Sequence, residues 1–275
     1  MPEAIGPAVR AEAVPDRQLA GIAELGVPAR EVTEELLVRR DAVTALGAAL
    51  RELVGTAVGT EVPLEVLRRA TADVRGVTAA LAAAQRARDV PSSVDDLRRG
   101  QRFFNPVVGP GNPVAPPMRV ELEAGAAVGS CTLGLAYEGP FTFAHGGVSA
   151  LLLDQIMGYA TAAAGHPGVT GRLQVRYRSP VPLGEPLRLR AAVVDVLGAR
   201  VAVRGTLSLA AAPDDVLVEA EGRFMTLRRE QAVRLFGDRP RRQPSTAEPS
   251  TAEPSTAEPS TAEPSTADDA AARES

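Results

Sequence analysis

Apolar and polar positions recur along this chain with two different periods, and a third stretch has almost nothing apolar. Near the N-terminus the period is helical, through Val32, Leu36, Leu37, Val43, Leu46, Leu50 and Leu53. Pro28 ahead of Ala29–Arg30–Glu31 suits the first turn of a helix, and the GTAVGTEVP stretch interrupts the pattern. A second helical run follows Pro63 through Leu64, Leu67, Val74, Val77 and Leu81. Two or three helices, folded as a hairpin or an arm, are expected over residues 1–100.

A Pro/Gly-dense connector, FFNPVVGPGNPVAPP (Phe103 to Pro117, within residues 101–117), then leads into period-two alternation. Val120 and Leu122 alternate with Glu121 and Glu123, and Val128, Cys131, Leu133 and Leu135 continue a strand-like stretch. Further on, Leu173, Val175 and Tyr177 alternate with Arg172, Gln174, Arg176 and Arg178. Leu187–Arg190, Val201–Arg204 and Val216–Leu227 complete the set. Such alternation marks strands with one buried and one wet face, hence an antiparallel sheet. Between the second and third strands, Gly146 to Ala164 is too long and too continuously apolar for a strand, so it is expected as a buried helix. Two strands, one helix, then four strands make an α+β domain over residues 118–237. From Pro244 the chain repeats PSTAE, a composition that buries no core, so residues 238–275 are expected as a disordered tail.

Composition narrows the function. Only 3% of residues are aromatic and the net charge is −4, which leaves nucleic acid neither a stacking platform nor an electrostatic attraction. Every basic residue is Arg, and with the heavy Ala, Gly and Pro usage this suits coding bias in a GC-rich bacterial genome. One cysteine, Cys131, excludes an internal disulfide framework and is expected as a small buried hydrophobe. With two histidines in all, a Cys/His zinc site is not expected, and no other metal or cofactor is implied. The N-terminus has no signal-peptide core, and no run of about 18 apolar residues offers a membrane span. A soluble protein of the cytoplasm, free of membrane and nucleic-acid partners, is the expectation.

The candidate chemistry lies in YEGPFTFAHGGVSALLLDQIMGYATAAAG, Tyr137 to Gly165. Asp154 is the one charged residue of the expected helix, Gly147 to Ala164, and Leu151, Leu152, Leu153, Ile156 and Met157 surround it in sequence. Burying a carboxylate there costs several kcal/mol unless it is paired or protonated. Either Asp154 lies on an exposed stripe with Gln155 and Gly158, or it is a desolvated carboxylate poised as base or nucleophile. His145–Gly146–Gly147 favours the second reading. Two glycines opening a helix let a carbonyl approach backbone N–H groups that have no intrahelical partner, at the positive end of the dipole. Such donors suit the oxyanion of an attacked thioester. His145 is expected to brace the loop rather than transfer protons, and His166 has no assigned role. Thr170 is either a strand-starting β-branched residue or part of the site. Arg172 is expected on the wet face of its strand.

These residues resemble the hotdog-fold acyl-CoA thioesterases, in particular the phenylacetyl-CoA-thioesterase-like branch with the thioesterase-superfamily-member proteins. The likeness rests on HGG (145–147), Asp154 nine positions after the His, HPGVTGRLQVRYRSPVPLGEPLRLRAAVVD (166–195) and EAEGRFMTL (219–227), and spans about Asn105 to Arg229. It implies a long helix wrapped by an antiparallel sheet, a homodimer or dimer of dimers with sheets joined edge to edge, and hydrolysis of acyl-CoA to free acid and CoA. In that reading the Gly146 N–H polarises the carbonyl and Asp154 of the other protomer acts as base or nucleophile. The hydroxyl that relatives carry early in the third strand, where it helps hold the water or the carboxylate, falls on Thr170, and CoA phosphates are expected near Arg176, Arg178 and Arg200. The acyl tunnel is expected to include Phe141, Phe143, Leu153 and Met157. Where some relatives have an Asn six residues before the His, this chain has Gly139. The same fold serving as a non-catalytic acyl-CoA-binding or interaction module is the alternative; a hotdog hydratase lacks the paired Asp and His it would need.

Overall fold

The structure is a computed structural model, and it describes residues 31–226 apart from 89, 97–99, 117 and 124. Pro28, Leu227 and the PSTAE repeat lie outside the described residues. The element order is α1 (Glu34–Val58), α2 (Leu64–Ala82), β1 (Arg119–Glu123), β2 (Ala126–Thr132), a 3-10 turn (Leu135–Tyr137), α3 (Gly146–Ala163), β3 (Gly168–Tyr177), β4 (Pro186–Leu197), β5 (Arg200–Leu209) and β6 (Ala212–Thr226). The six strands form one antiparallel sheet in the order β1-β2-β4-β5-β6-β3, with α3 packed on one face. This is the expected α+β hotdog arrangement. The strand alternation understated β4 and β5, which run on through Leu197 and Leu209. It overstated β2, since Leu135 already belongs to the 3-10 turn.

Close approach of helix and sheet depends on glycine. A Cβ on Gly205 of β5 would stand 3.2 Å from both Leu153 Cδ2 and Met157 Cγ, and one on Gly222 of β6 would reach 3.3 Å from Met157 Sδ. Leu152, Leu153, Ile156, Met157 and Ala160 of α3 are consequently buried against Leu189, Val203, Val218 and Phe224 of the sheet. Leu153 and Met157 are fully buried here, so within one chain they form core, and Phe141 is 86% exposed. The tunnel expected from these residues is therefore not open in the single chain.

The first N-terminal helix starts later than expected, and of the two arrangements expected, hairpin or arm, the hairpin is not formed. Thr33 caps α1, its hydroxyl accepting from Leu36 N at 3.2 Å, with Glu34 and Glu35 at the favourable end of the dipole. The helix continues through Gly55 to Val58, past the first glycine of the interrupting stretch. Leu36, Arg40 and Gly47 face the body. Arg51 donates to the carbonyls of Pro110 and Asn112 at 2.8 and 2.9 Å, and Arg40 Nε donates to the Val94 carbonyl at 2.9 Å. The Pro/Gly-dense segment is thereby packed in, with Val107, Ala115 and Met118 buried. Nothing of α2 is buried, and the two helices do not pack side by side as a hairpin.

Candidate functional site

Asp154 stands on the open stripe of α3 with Leu151 and Gly158, half-buried, so the strong desolvation expected for its carboxylate is not met in the single chain. Thr170 Oγ1 donates to Asp154 Oδ1 at 2.8 Å. That contact depends on a β-bulge. Simple alternation would put Thr170 on the same face as Arg172, away from the helix. Pairing shifts between Thr170 and Arg172, so that Thr170 stands opposite the buried Phe224 while Arg172 stands opposite the exposed Arg223. The extra residue is Gly171, and its insertion turns Thr170 toward α3.

The helix start is equally determined by its neighbours. His145 is the N-cap, and its Nδ1 accepts from Gly147 N at 3.0 Å, while its carbonyl accepts from Val148 N at 2.9 Å. The Gly146 N–H has no hydrogen-bond partner among the described residues. A side chain at Gly147 would meet His145 Nδ1 at 3.1 Å, and one at Gly146 would meet the Tyr177 ring at 3.2 Å. Tyr177 Oη donates to the Gly146 carbonyl at 2.9 Å. Tyr177 shares the helix face of β3 with Leu173 and Val175, a parity visible in the sequence, yet its contact with Gly146 was missed. Gly139 also has a steric reason: a Cβ there would lie 2.7 Å from His145 Cα, which leaves no room for the Asn some relatives carry. The loop to α3 is drawn tight by hydrogen bonds from Gly139 N to Phe143 O and from His145 N to Tyr137 O. Thr142 adopts φ +69° in it, a strained value for a β-branched residue.

A second missed residue is Asn105. Its Oδ1 accepts from Val107 N and Val108 N, and its Nδ2 donates to Gln155 Oε1 at 3.1 Å, so the connecting segment touches α3 beside Asp154. Cys131 packs against the core, and burial pushes its thiol up to about 12.

The three arginines expected near CoA do not converge within one chain. Arg178 and Arg176 both reach Glu219, at 2.8 and 3.6 Å. The Arg178 hydrogen bond, above all, lowers the Glu219 pKa. Arg200 pairs in register with Met225, six residues along β6 from Glu219, or about 20 Å. A groove of about 660 Å³ opens beside Arg178, but Asp214, Asp215 and Glu219 line it, an unfavourable setting for phosphate. Among the described residues no cluster of His, Cys, Asp and Glu is placed to hold a metal ion, and no helix is long and apolar enough to cross a membrane.

Comparison with known proteins identifies the family and the fold. Residues 141–208 match the family model described as thioesterase superfamily. A thioesterase superfamily protein of known crystal structure is 34% identical, with a TM-score of 0.60; the match covers 94% of that protein and 66% of this chain. Zebrafish thioesterase superfamily member 2 is 20% identical over 40% of this chain and 81% of its own, with a TM-score of 0.38. A hypothetical thioesterase protein from Streptococcus pneumoniae, crystallised with coenzyme A, is 19% identical over 39% of this chain and 86% of its own, with a TM-score of 0.37. No curated protein matches the sequence. A sheet wrapped on one glycine-initiated helix, with a relative one-third identical over nearly its whole length, identifies the chain as a member of the hotdog-fold thioesterase superfamily.

Proposed function

We propose that this protein hydrolyses an acyl-CoA thioester to the free acid and CoA in a site built from two copies of the chain. The observation that carries the reading is the pairing of a Thr170-held Asp154 carboxylate with an unpartnered Gly146 N–H on the same helix. Eight residues of α-helix separate them by about 12 Å, too far to act on one carbonyl within one chain. Two copies resolve the distance. β3 is a sheet edge of ten residues, paired on one side only, and long bare edges invite pairing. An antiparallel, two-fold join of two such edges carries the Thr170 end of one strand to the Tyr177 end of the other. Asp154 of one copy then faces Gly146 of the second, and Arg200 approaches the second copy's Arg176 and Arg178 to take the CoA phosphates.

Thr170 occupies one carboxylate oxygen and leaves Oδ2 for chemistry. As base, Oδ2 takes a proton from water while the hydroxide oxygen bonds to the thioester carbon. As nucleophile, Oδ2 forms that bond itself and water later hydrolyses the anhydride. Either way the oxyanion is met by the Gly146 N–H and the C–S bond breaks. In the base route Asp154 returns its proton to the departing sulfur. In the nucleophile route CoA leaves as the thiolate and is balanced by the proton released when water hydrolyses the anhydride. His145 contributes by fixing the cap rather than by moving protons.

The test is release of free CoA thiol from acetyl-, hexanoyl-, palmitoyl- and phenylacetyl-CoA, with Asp154→Asn alongside. Turnover of at least one substrate that falls by about a thousandfold or more in the variant is expected, as for loss of a group acting directly in the transition state. Undiminished turnover in Asp154→Asn would refute the mechanism, and acyl-CoA binding without turnover in the native protein would favour a non-catalytic module. Single turnover in ¹⁸O-water separates base from nucleophile, since only the nucleophile route can leave label in the Asp154 carboxylate.

A further inference from the structure

We infer that Tyr177 is a positioning residue that holds Gly146 by its carbonyl and its Cα, and so steadies the glycine whose N–H meets the substrate carbonyl; the inference rests on the function proposed above. Two consecutive glycines are the least constrained opening a helix can have, and without restraint their peptide would sample many orientations. Here that peptide is gripped at both ends. Its carbonyl, on Gly146, accepts from Tyr177 Oη at 2.9 Å, and its N–H, on Gly147, donates to His145 Nδ1 at 3.0 Å. Because a peptide unit is planar, restraint at both ends fixes the plane and with it the ψ of Gly146.

The ring does separate work from the hydroxyl. A Cβ on Gly146 would stand 3.2, 3.3 and 3.4 Å from Tyr177 Cε1, Cζ and Oη. The ring therefore covers the Cα of Gly146 on the side where a side chain would stand. With Gly147 N–H and Val148 N–H both accepted by His145, the Gly146 N–H remains the first-turn donor without a partner among the described residues. That N–H belongs to the preceding His145–Gly146 peptide: His145 takes the other two donors, and Tyr177 acts on the free one through the carbonyl and Cα of the same glycine. The same strand serves both functional groups, since β3 holds Asp154 through Thr170 and Gly146 through Tyr177.

The hydroxyl is tested by Tyr177→Phe, which keeps the ring, measured on whichever member of the acyl-CoA panel the native protein turns over best. The expected result is a fall in kcat of about tenfold with KM within twofold and an unchanged melting temperature, since a small misorientation of a catalytic donor costs rate rather than binding. Tyr177→Leu, which removes the ring as well, should lose more, about a hundredfold. Amide hydrogen exchange of Gly147 supplies a readout independent of activity and should accelerate at least about fivefold in Tyr177→Phe as its peptide is released. A kcat within twofold of native in Tyr177→Phe overturns the inference, as does a rise in KM at constant kcat, a loss of rate matched by a loss of melting temperature, or unchanged Gly147 exchange. Full activity in Asp154→Asn instead, or no native turnover of any substrate, removes the thioesterase reading and the catalytic role of Tyr177 with it. If Asp154→Asn is dead and Tyr177→Phe is native-like, only the Tyr177 inference fails.

Discussion

Two helices of nearly equal length, α3 with 18 residues and α2 with 19, differ in almost everything that surrounds them. α3 is apolar around most of its circumference and is gripped by the sheet, with Leu152, Leu153, Ile156, Met157 and Ala160 buried. α2 has a well-formed apolar stripe, Leu64, Leu67, Val74, Val77 and Leu81, yet each of these is 42–58% exposed. Amphipathic spacing foretold α2 and a long continuous apolar run foretold α3, but what covers an apolar face is a separate question that spacing does not answer. The difference also bears on function. The helix held on one side can present a fixed stripe, with Gly146 at one end and Asp154 in the middle, on the other.

The comparison is broken most directly by truncating matched side chains. Met157→Ala removes a fully buried side chain lying over Gly205 and Gly222, and should destabilise the protein by about 2–5 kcal/mol in urea unfolding. A change below about 1 kcal/mol would mean that the α3–sheet contact is looser than the burial implies. Leu67→Ala on α2 should change stability by no more than about 0.5 kcal/mol, because the side chain already faces water. A loss as large as that for Met157→Ala would show that α2 is covered in solution. The smallest effect is expected at the sheet surface. Arg178 and Arg176 lower the Glu219 pKa, so the ion pair adds stability above the ordinary carboxylate value of 4.5 and loses it as pH falls through the lowered one. Glu219→Gln should therefore melt slightly below the native protein near pH 7, with the gap closing on acidification. A gap that persists at low pH would assign the effect to packing rather than charge.

Much of this was legible in the residues. The change from period two to a continuous apolar run and back marked two strands, a helix and four strands, because a half-buried strand and a buried helix leave different imprints on a sequence. The lone Asp154 and the paired glycines at 146 and 147 also stood out, since each carries a cost that an ordinary buried helix would avoid. Strand lengths were less legible: β4 continues through Ala191, Ala192 and Val193 into Asp195, where a bulge disturbs the alternation.

The candidate site shows where local pattern stops. Alternation carried back from Arg172 would set Thr170 on the wet face, and the bulge at Gly171 turns it toward α3 instead. Parity put Tyr177 on the helix face, but that it meets Gly146 depends on how β3 crosses α3. Asn105 reaches Gln155 across 50 residues of chain, and no local period encodes a contact of that separation.

By itself, then, the sequence determined the elements, their order, the glycine-initiated helix and the carboxylate upon it, because periodicity, helix capping and the cost of a buried charge act within a few residues. Tertiary structure alone decided that a bulge turns Thr170 toward Asp154, that Tyr177 joins His145 in gripping the Gly146–Gly147 peptide, and that Arg200 lies far from Arg176 and Arg178 within one chain. Those outcomes depend on sheet register, one bulge and the close approach of helix to strands, which are set by packing between segments distant in sequence.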